Sequence, residues 1–189
     1  MRLAQVLPIL AWSALLPGGG AVAIAGDESV RDVTGMAQRP LEPGDKAGSV
    51  LIFYWNDCPI CNSYAPEINR LCATHTNFAF YIVQVDPDLA PMAAQKHAKD
   101  FALRPPVLLD GKHRLVKLAG ATIAPEAVVF GKNKKVLYRG RIDNLYPSLD
   151  RRRAEATEHD LQDALEAIAA GKPIKAQQPA IGCAIQERP

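Results

Sequence analysis

Neither sign of charge dominates this chain of 189 residues: 22 Lys and Arg stand against 20 Asp and Glu, for a formal charge of +2. That balance leaves no basic field to hold nucleic acid, and the short run Arg151-Arg152-Arg153 does not create one. Cysteine is scarce as well. Cys58, Cys61, Cys72 and Cys183 are too few and too unevenly spaced to staple a small disulfide-built fold, which points to chemistry more than to scaffold. No second CxxC or CxxH completes a four-ligand zinc set. Long hydrophobic runs are missing too: the apolar stretch of residues 3–16, interrupted by Gln5 and Ser13, falls short of the roughly 20 residues that a permanent membrane span needs. Apolar residues overall are plentiful at 48%, enough for one domain with a real core and too many for a disordered tail.

The ends read differently from the middle. Met1-Arg2 gives a positive start, the apolar stretch follows, and Ala23-Ile24-Ala25 has the small-x-small pattern of a signal-peptidase site. Pro8, Pro17 and Gly18 to Gly20 break this segment before it could pack as a buried helix. Residues 1–25 are therefore expected to be a signal peptide that leaves no stable span after cleavage. The expected location is exported, periplasmic or extracellular, and oxidising. Residues 26–48, rich in Gly, Pro and charge, are expected to be an irregular lead-in. Residues 172–189, with Pro173 and Pro179, are expected to be a flexible tail.

Between them the pattern is regular. Residues 49–55 form a continuous apolar and aromatic run of strand length, the kind buried on both faces of a sheet. Ile60, Tyr64, Ile68, Leu71 and His75 fall at helical spacing and predict a helix over 59–75. Further strands are expected at 79–85, 106–109, 126–130 and 135–139, the last two joined by the hairpin turn Gly131-Lys132-Asn133-Lys134. Helices are expected from Pro91 to 103, over 112–118 and over 154–170. Alternation of strands and helices followed by a hairpin gives an α/β domain over 49–171, a central mixed β-sheet flanked by helices.

The chemistry centres on Trp55-Asn56-Asp57-Cys58-Pro59-Ile60-Cys61. Where a buried strand gives way to a helix, Cys58 falls at the helix start and Cys61 one turn in, with Cys58 the more exposed. Helix N-termini carry partial positive charge and free N–H groups, which stabilise a thiolate. The acid Asp57 opposes that by like-charge repulsion. Cys58 is the expected nucleophile, and Cys61 stands close enough to attack a mixed disulfide formed on it. Pro59 suits the first helical turn because it has no N–H to satisfy.

These residues resemble the thioredoxin superfamily, in particular its exported redoxin-like branch of alkyl hydroperoxide reductase and thiol-specific antioxidant type. Pro66 lies where that family's first helix carries a kinking proline. Ala124-Pro125-Glu126-Ala127-Val128-Val129-Phe130 is similar to the segment in which a cis-proline precedes a central strand and faces the active-site disulfide. The 64 residues from Cys61 to Pro125 leave room for the helix and strand that redoxin-like members insert. The resemblance implies a thioredoxin-like fold and a thiol–disulfide oxidoreductase needing no cofactor. Its partners would be protein thiols or disulfides and a redox partner protein. Ala124 and Pro125 would hold an extended partner segment, and Trp55 and Pro59 are candidate contacts at the rim.

The chain also departs from the family. Thioredoxin has a buried acid six residues before its first cysteine, where Ile52 stands here. A peroxidatic member carries threonine three residues before the reactive cysteine, and Trp55 at that place argues against peroxidase chemistry. Two other readings compete. One is a copper-binding or metal-assembly protein resembling the thioredoxin-fold copper chaperones, since soft thiolates select Cu(I), although no matching histidine or metal ligand set is assignable. The other is a binding module whose CxxC is a permanent structural disulfide. His75, His97, His113 and His159 fall on helices or turns where solvated surface is the default. Cys72 reads as a core thiol, because an ideal helix holds it about 16 Å from Cys61. Three uses stay open for Cys183: a reactive tail thiol, a cross-link to Cys72 or another chain, or approach to the active pair.

Overall fold

A seven-residue strand with no exposed residue, β3 (Gly48–Tyr54), runs through the middle of the molecule. Its unbroken Val-Leu-Ile-Phe-Tyr sequence gives it an apolar side chain toward each face, which only a central strand can bury. The computed structural model describes residues 29–186, so the expected signal peptide lies outside the described residues. β3 pairs in parallel with β4 (Phe78–Gln84), with Ile52 opposite Ile82, and antiparallel with β7 (Glu126–Gly131), with Ile52 opposite Ala127. β5 (Val107–Leu109) adds in parallel to β4 and β8 (Val136–Gly140) antiparallel to β7, giving the order β5-β4-β3-β7-β8. Parallel neighbours need crossovers. Helices α1 (Pro59–Ser63) and α2 (Ala65–Thr74) carry the chain from β3 to β4, and α3 (Pro91–Asp100) from β4 to β5. α4 (Arg114–Ala119) stops at Gly120, whose φ of +64° is the left-handed cap that glycine adopts without a Cβ penalty. This is the mixed α/β sheet that the residue pattern called for.

Three local features differ from the sequence pattern. The helix expected over 59–75 is two helices broken at Tyr64, because Pro66 in the first turn of α2 has no N–H to continue the α1 ladder. The last helix, α5 (Asp160–Ala169), starts six residues later than 154. Asn144 explains the delay: its side-chain oxygen accepts the N–H groups of Thr157 at 2.8 Å and Glu158 at 3.2 Å, which holds that stretch in a loop. The lead-in and the tail both carry short antiparallel pairs. β1 (Val30–Arg31) pairs with β2 (Ala37–Gln38) around a turn held by the carboxylate of Asp32, which accepts from the N–H groups of Thr34 and Met36.

The tail pairing matters more for function. β6 (Ile123–Ala124), just ahead of Pro125, pairs antiparallel with β9 (Cys183–Ala184), with Ala124 opposite Cys183. Upstream of β9 the tail lies along β8, where the N–H of Arg141 donates to Gln178 O at 3.0 Å and the N–H of Arg139 to Gln177 Oε1 at 3.0 Å. The segment read as flexible is therefore docked at two places along its length.

Candidate active site

β3 ends at Tyr54 and the chain turns through residues 55–57 to Cys58, which caps α1 in an extended conformation with Pro59 as the first helical residue. The turn is closed by Cys58 N–H donating to Trp55 O at 3.1 Å. Cys61 follows one turn later, and the backbone N–H of Trp55 points at its sulfur, 3.5 Å away. On the other side, Cys58 Sγ lies 3.5 Å from the carbonyl oxygen of Ala124, to which it donates in its thiol form. The Ala124–Pro125 peptide bond is cis. Cys58, Cys61, Ala124 and Pro125 thus meet at one end of the sheet. Trp55 stands half-buried beside them, while Pro59 faces solvent.

Both thiols are buried, and Cys58 exceeds Cys61 in exposure by only a trace. Cys58 is 1% exposed and Cys61 0%. β9 places Cys183 opposite Ala124, whose carbonyl oxygen lies 3.5 Å from Cys58 Sγ, so the tail lies over the nucleophile. Of the three uses open to Cys183 in the sequence, the fold gives it the third: it reaches the active pair and not Cys72. Cys72 lies on α2, half-buried against the core, with its thiol pushed up by burial. All four cysteines are free thiols.

The thiols at the site differ sharply. The hydrogen bond from Cys61 is the largest influence on Cys58 and pulls it down to about 5, against burial, with help from the Cys183 thiol and from the N–H groups of Cys61 and Cys183. The same hydrogen bond, added to burial, pushes Cys61 well above the usual thiol range. Burial and the Cys58 contact likewise raise Cys183 to about 11. The helix start contributes through the Cys61 N–H, but neighbouring thiols do more than the five-residue helix.

A belt of polar side chains behind the cysteines was not legible in the sequence. The Tyr54 hydroxyl donates to Asn62 Oδ1 at 2.8 Å, and His97 Nε2 lies 2.9 Å from the same oxygen. An amide oxygen only accepts, so His97 carries its proton on Nε2. Asn62 Nδ2 then donates to Asn56 O at 2.9 Å, and Gln84 Oε1 accepts from the Asn56 N–H at 3.2 Å. Together these bonds fix the loop that precedes Cys58. His97 packs between Tyr54 and Phe101, with ring centroids at 5.6 and 4.5 Å. His113 is buried and bonded to Val85 O at 2.7 Å. Neither is the solvated surface histidine that its helix or turn position suggested. The one signal for this belt was that Asn62 directly follows Cys61; the partners that give it meaning are far away in the chain.

Ile52, at the position of the family's buried acid, is fully buried in β3. Trp55 and Ile185 line a cavity of about 200 Å³ together with Asp86 and Pro87. Among the described residues, the group of His, Cys, Asp and Glu whose ligand atoms all lie within 4.8 Å of one another is Glu67, Asp143 and His159. The three thiols do not form such a group.

A central mixed sheet with a CxxC at the end of its middle strand, facing a cis-proline, is the thioredoxin-like fold. The chain belongs to the AhpC/TSA family, whose model matches residues 37–139, more than half of its length. It is similar to the thiol-disulfide oxidoreductase ResA of Bacillus thuringiensis subsp. konkukian and to that of Bacillus cereus, each 25% identical over 107 residues. Those matches span 56% of this chain and 62% of each relative, less than two thirds of their length. Among solved structures, an uncharacterized conserved protein from Geobacillus kaustophilus superposes with a TM-score of 0.66 at 22% identity, covering 85% of this chain and 88% of that one. A secreted disulfide oxidoreductase from Mycobacterium tuberculosis superposes with a TM-score of 0.51 at 18% identity, over 77% of this chain and 99% of its own. At those identities the likeness is one of fold.

Proposed function

We propose that the protein is an exported thiol–disulfide oxidoreductase in which Cys58 is the nucleophile, Cys61 the resolving thiol and a protein thiol or disulfide the substrate. The observation that carries this reading is the geometry: Cys58 caps α1 with its Sγ 3.5 Å from the carbonyl oxygen of Ala124, which precedes the cis peptide bond to Pro125, and Cys61 lies one turn behind it. The Cys61 thiol draws Cys58 down to about 5, while burial and Cys58 hold Cys61 well above the usual thiol range. At neutral pH Cys58 is then a thiolate ready to attack, while Cys61 keeps its proton until a mixed disulfide removes the charge it was donating to. In the reducing direction, Cys58 attacks a substrate disulfide and expels one substrate thiolate. Cys61 then attacks the mixed disulfide, releasing the second thiolate and leaving a Cys58–Cys61 disulfide, which a redox partner protein reduces. The oxidising direction is the same sequence reversed, and no cofactor enters either one. Trp55, Pro59, Ala124 and Pro125 are assigned to partner binding, with the Ala124 backbone offering its edge to an extended segment. The Bacillus relatives bear the name of this activity. The leader pattern of residues 1–25 supports export.

Covalent trapping tests the assignment of roles. With both Cys61 and Cys183 changed to Ser, the Cys58 mixed disulfide has no neighbouring thiol to resolve it. The doubly substituted protein is expected to accumulate a dithiothreitol-sensitive adduct with a disulfide-bonded protein substrate, and the adduct should disappear when Cys58→Ser is added. Capture that survives removal of Cys58 would overturn the assignment.

A further inference from the structure

The tail lies where a partner would have to lie. β9 pairs antiparallel with β6, the same short backbone edge that the proposed function assigns to an extended partner segment. Ile185 N–H extends the pairing by donating to Thr122 O at 2.9 Å. The approach is close enough to require glycine at position 182, where an added Cβ would stand 2.2 Å from Ala124 O and 2.9 Å from a Pro125 ring carbon. The residue that follows is Cys183, opposite Ala124 in the register, and the Ala124 carbonyl oxygen lies 3.5 Å from Cys58 Sγ. A small residue seats the strand, and the next residue delivers a thiol to the nucleophile. Cys58 is left 1% exposed.

We propose that Cys183 is a third redox thiol of the site, which competes with Cys61 for the disulfide to Cys58 and is delivered by a tail strand that occupies the partner's edge. This rests on the oxidoreductase reading and deepens it. The step is an internal exchange. The Cys183 thiolate attacks the Cys58 sulfur of a Cys58–Cys61 disulfide; the Cys58–Cys183 bond forms and the Cys58–Cys61 bond breaks. Cys61 leaves as a thiolate and takes up the proton that Cys183 gave. One thiol and one disulfide are present before and after, so no outside oxidant or reductant is consumed. The exchange fixes the tail covalently over the nucleophile, and a partner reaches Cys58 only by reducing that bond or displacing β9. The oxidised protein therefore exists in two forms, one with the edge free to open and one with it closed.

Peptide mapping of the full-length protein decides the matter. Fully reduced protein is equilibrated in glutathione buffers of rising oxidised fraction, quenched with acid and N-ethylmaleimide, digested with trypsin without reductant and analysed by mass spectrometry. Trypsin places Cys58 and Cys61 in residues 47–70 and Cys183 in residues 176–189. Wild type is expected to show both the internal disulfide of 47–70 and a link between the two peptides. The link should become the main oxidised form in Cys61→Ser and be lost in Cys58→Ser. In Gly182→Val, which cannot seat the strand, it should fall at least about tenfold while the Cys58–Cys61 disulfide persists, because tethering without docking lowers the effective concentration. A Cys58–Cys61 disulfide with no link in wild type or Cys61→Ser would overturn this inference and leave the oxidoreductase reading standing. A link undiminished in Gly182→Val would also overturn it, since a loose tail would then suffice. Absence of both disulfides under all buffers would overturn both readings.

Discussion

Replacing Cys58 with Ser is expected to reduce turnover of a disulfide-bonded protein substrate, with dithiothreitol as the electron source, by on the order of 10³-fold or more, to the uncatalysed background. A hydroxyl is not ionised at neutral pH and forms no disulfide, so neither the attack nor the mixed intermediate survives. Cys61 cannot stand in, because its sulfur is fully buried and held well above the usual thiol range. The wild-type rate carries a matching signature. Cys58 titrates at about 5, so the thiolate is present above that pH, and single-turnover attack should stay level from neutral pH downward and fall only through about pH 5. An ordinary thiol would lose rate from about pH 8.5 downward. A Cys58→Ser variant that retains full activity, or a wild-type midpoint in the ordinary thiol range, counts directly against the proposed mechanism.

Phe53→Ala is the substitution expected to cost most in stability. Phe53 is fully buried in β3, between Val83 of β4 and Glu126 of β7, one residue before Tyr54 anchors the polar belt. Deleting a buried phenyl ring removes its transfer free energy and leaves a cavity that a strand flanked on both sides cannot collapse to fill, at about 3–5 kcal/mol. Against a typical domain stability of roughly 5–15 kcal/mol, that is a large fraction of the whole. Urea unfolding should show the loss as a lower midpoint with an unchanged slope. A change under about 1 kcal/mol would mean that β3 is not the rigid centre that positions the site.

What the residues disclosed in advance divides by range along the chain. The apolar run at 49–55 announced a central strand, Gly131 to Lys134 announced the hairpin, and Cys58, Pro59, Cys61 and Pro125 announced the active end, because each signal is carried within a few neighbouring residues. The start of α5 was misplaced because Asn144, more than ten residues upstream, captures the N–H groups of Thr157 and Glu158. The His97–Asn62–Tyr54 belt was hidden because its three members meet only once α3 packs near the end of β3. The place of Cys183 was left open among three uses. Two-residue strands carry no periodicity, and β9 finds its partner some sixty residues upstream. Gly182-Cys183 gave a local hint in hindsight: glycine beside cysteine in a proline-bearing tail permits a close approach to another backbone.

The reduction potential of the Cys58–Cys61 pair tests the central claim most directly. It is read by equilibrating the Cys183→Ser protein with dithiol–disulfide buffers and counting modified thiols, so that the tail does not share the titration. A catalytic pair is expected to titrate reversibly as one two-electron couple between about −270 and −120 mV, the span of thioredoxin-type enzymes. A potential below about −300 mV, where structural disulfides lie, or a pair that never closes, would contradict the account.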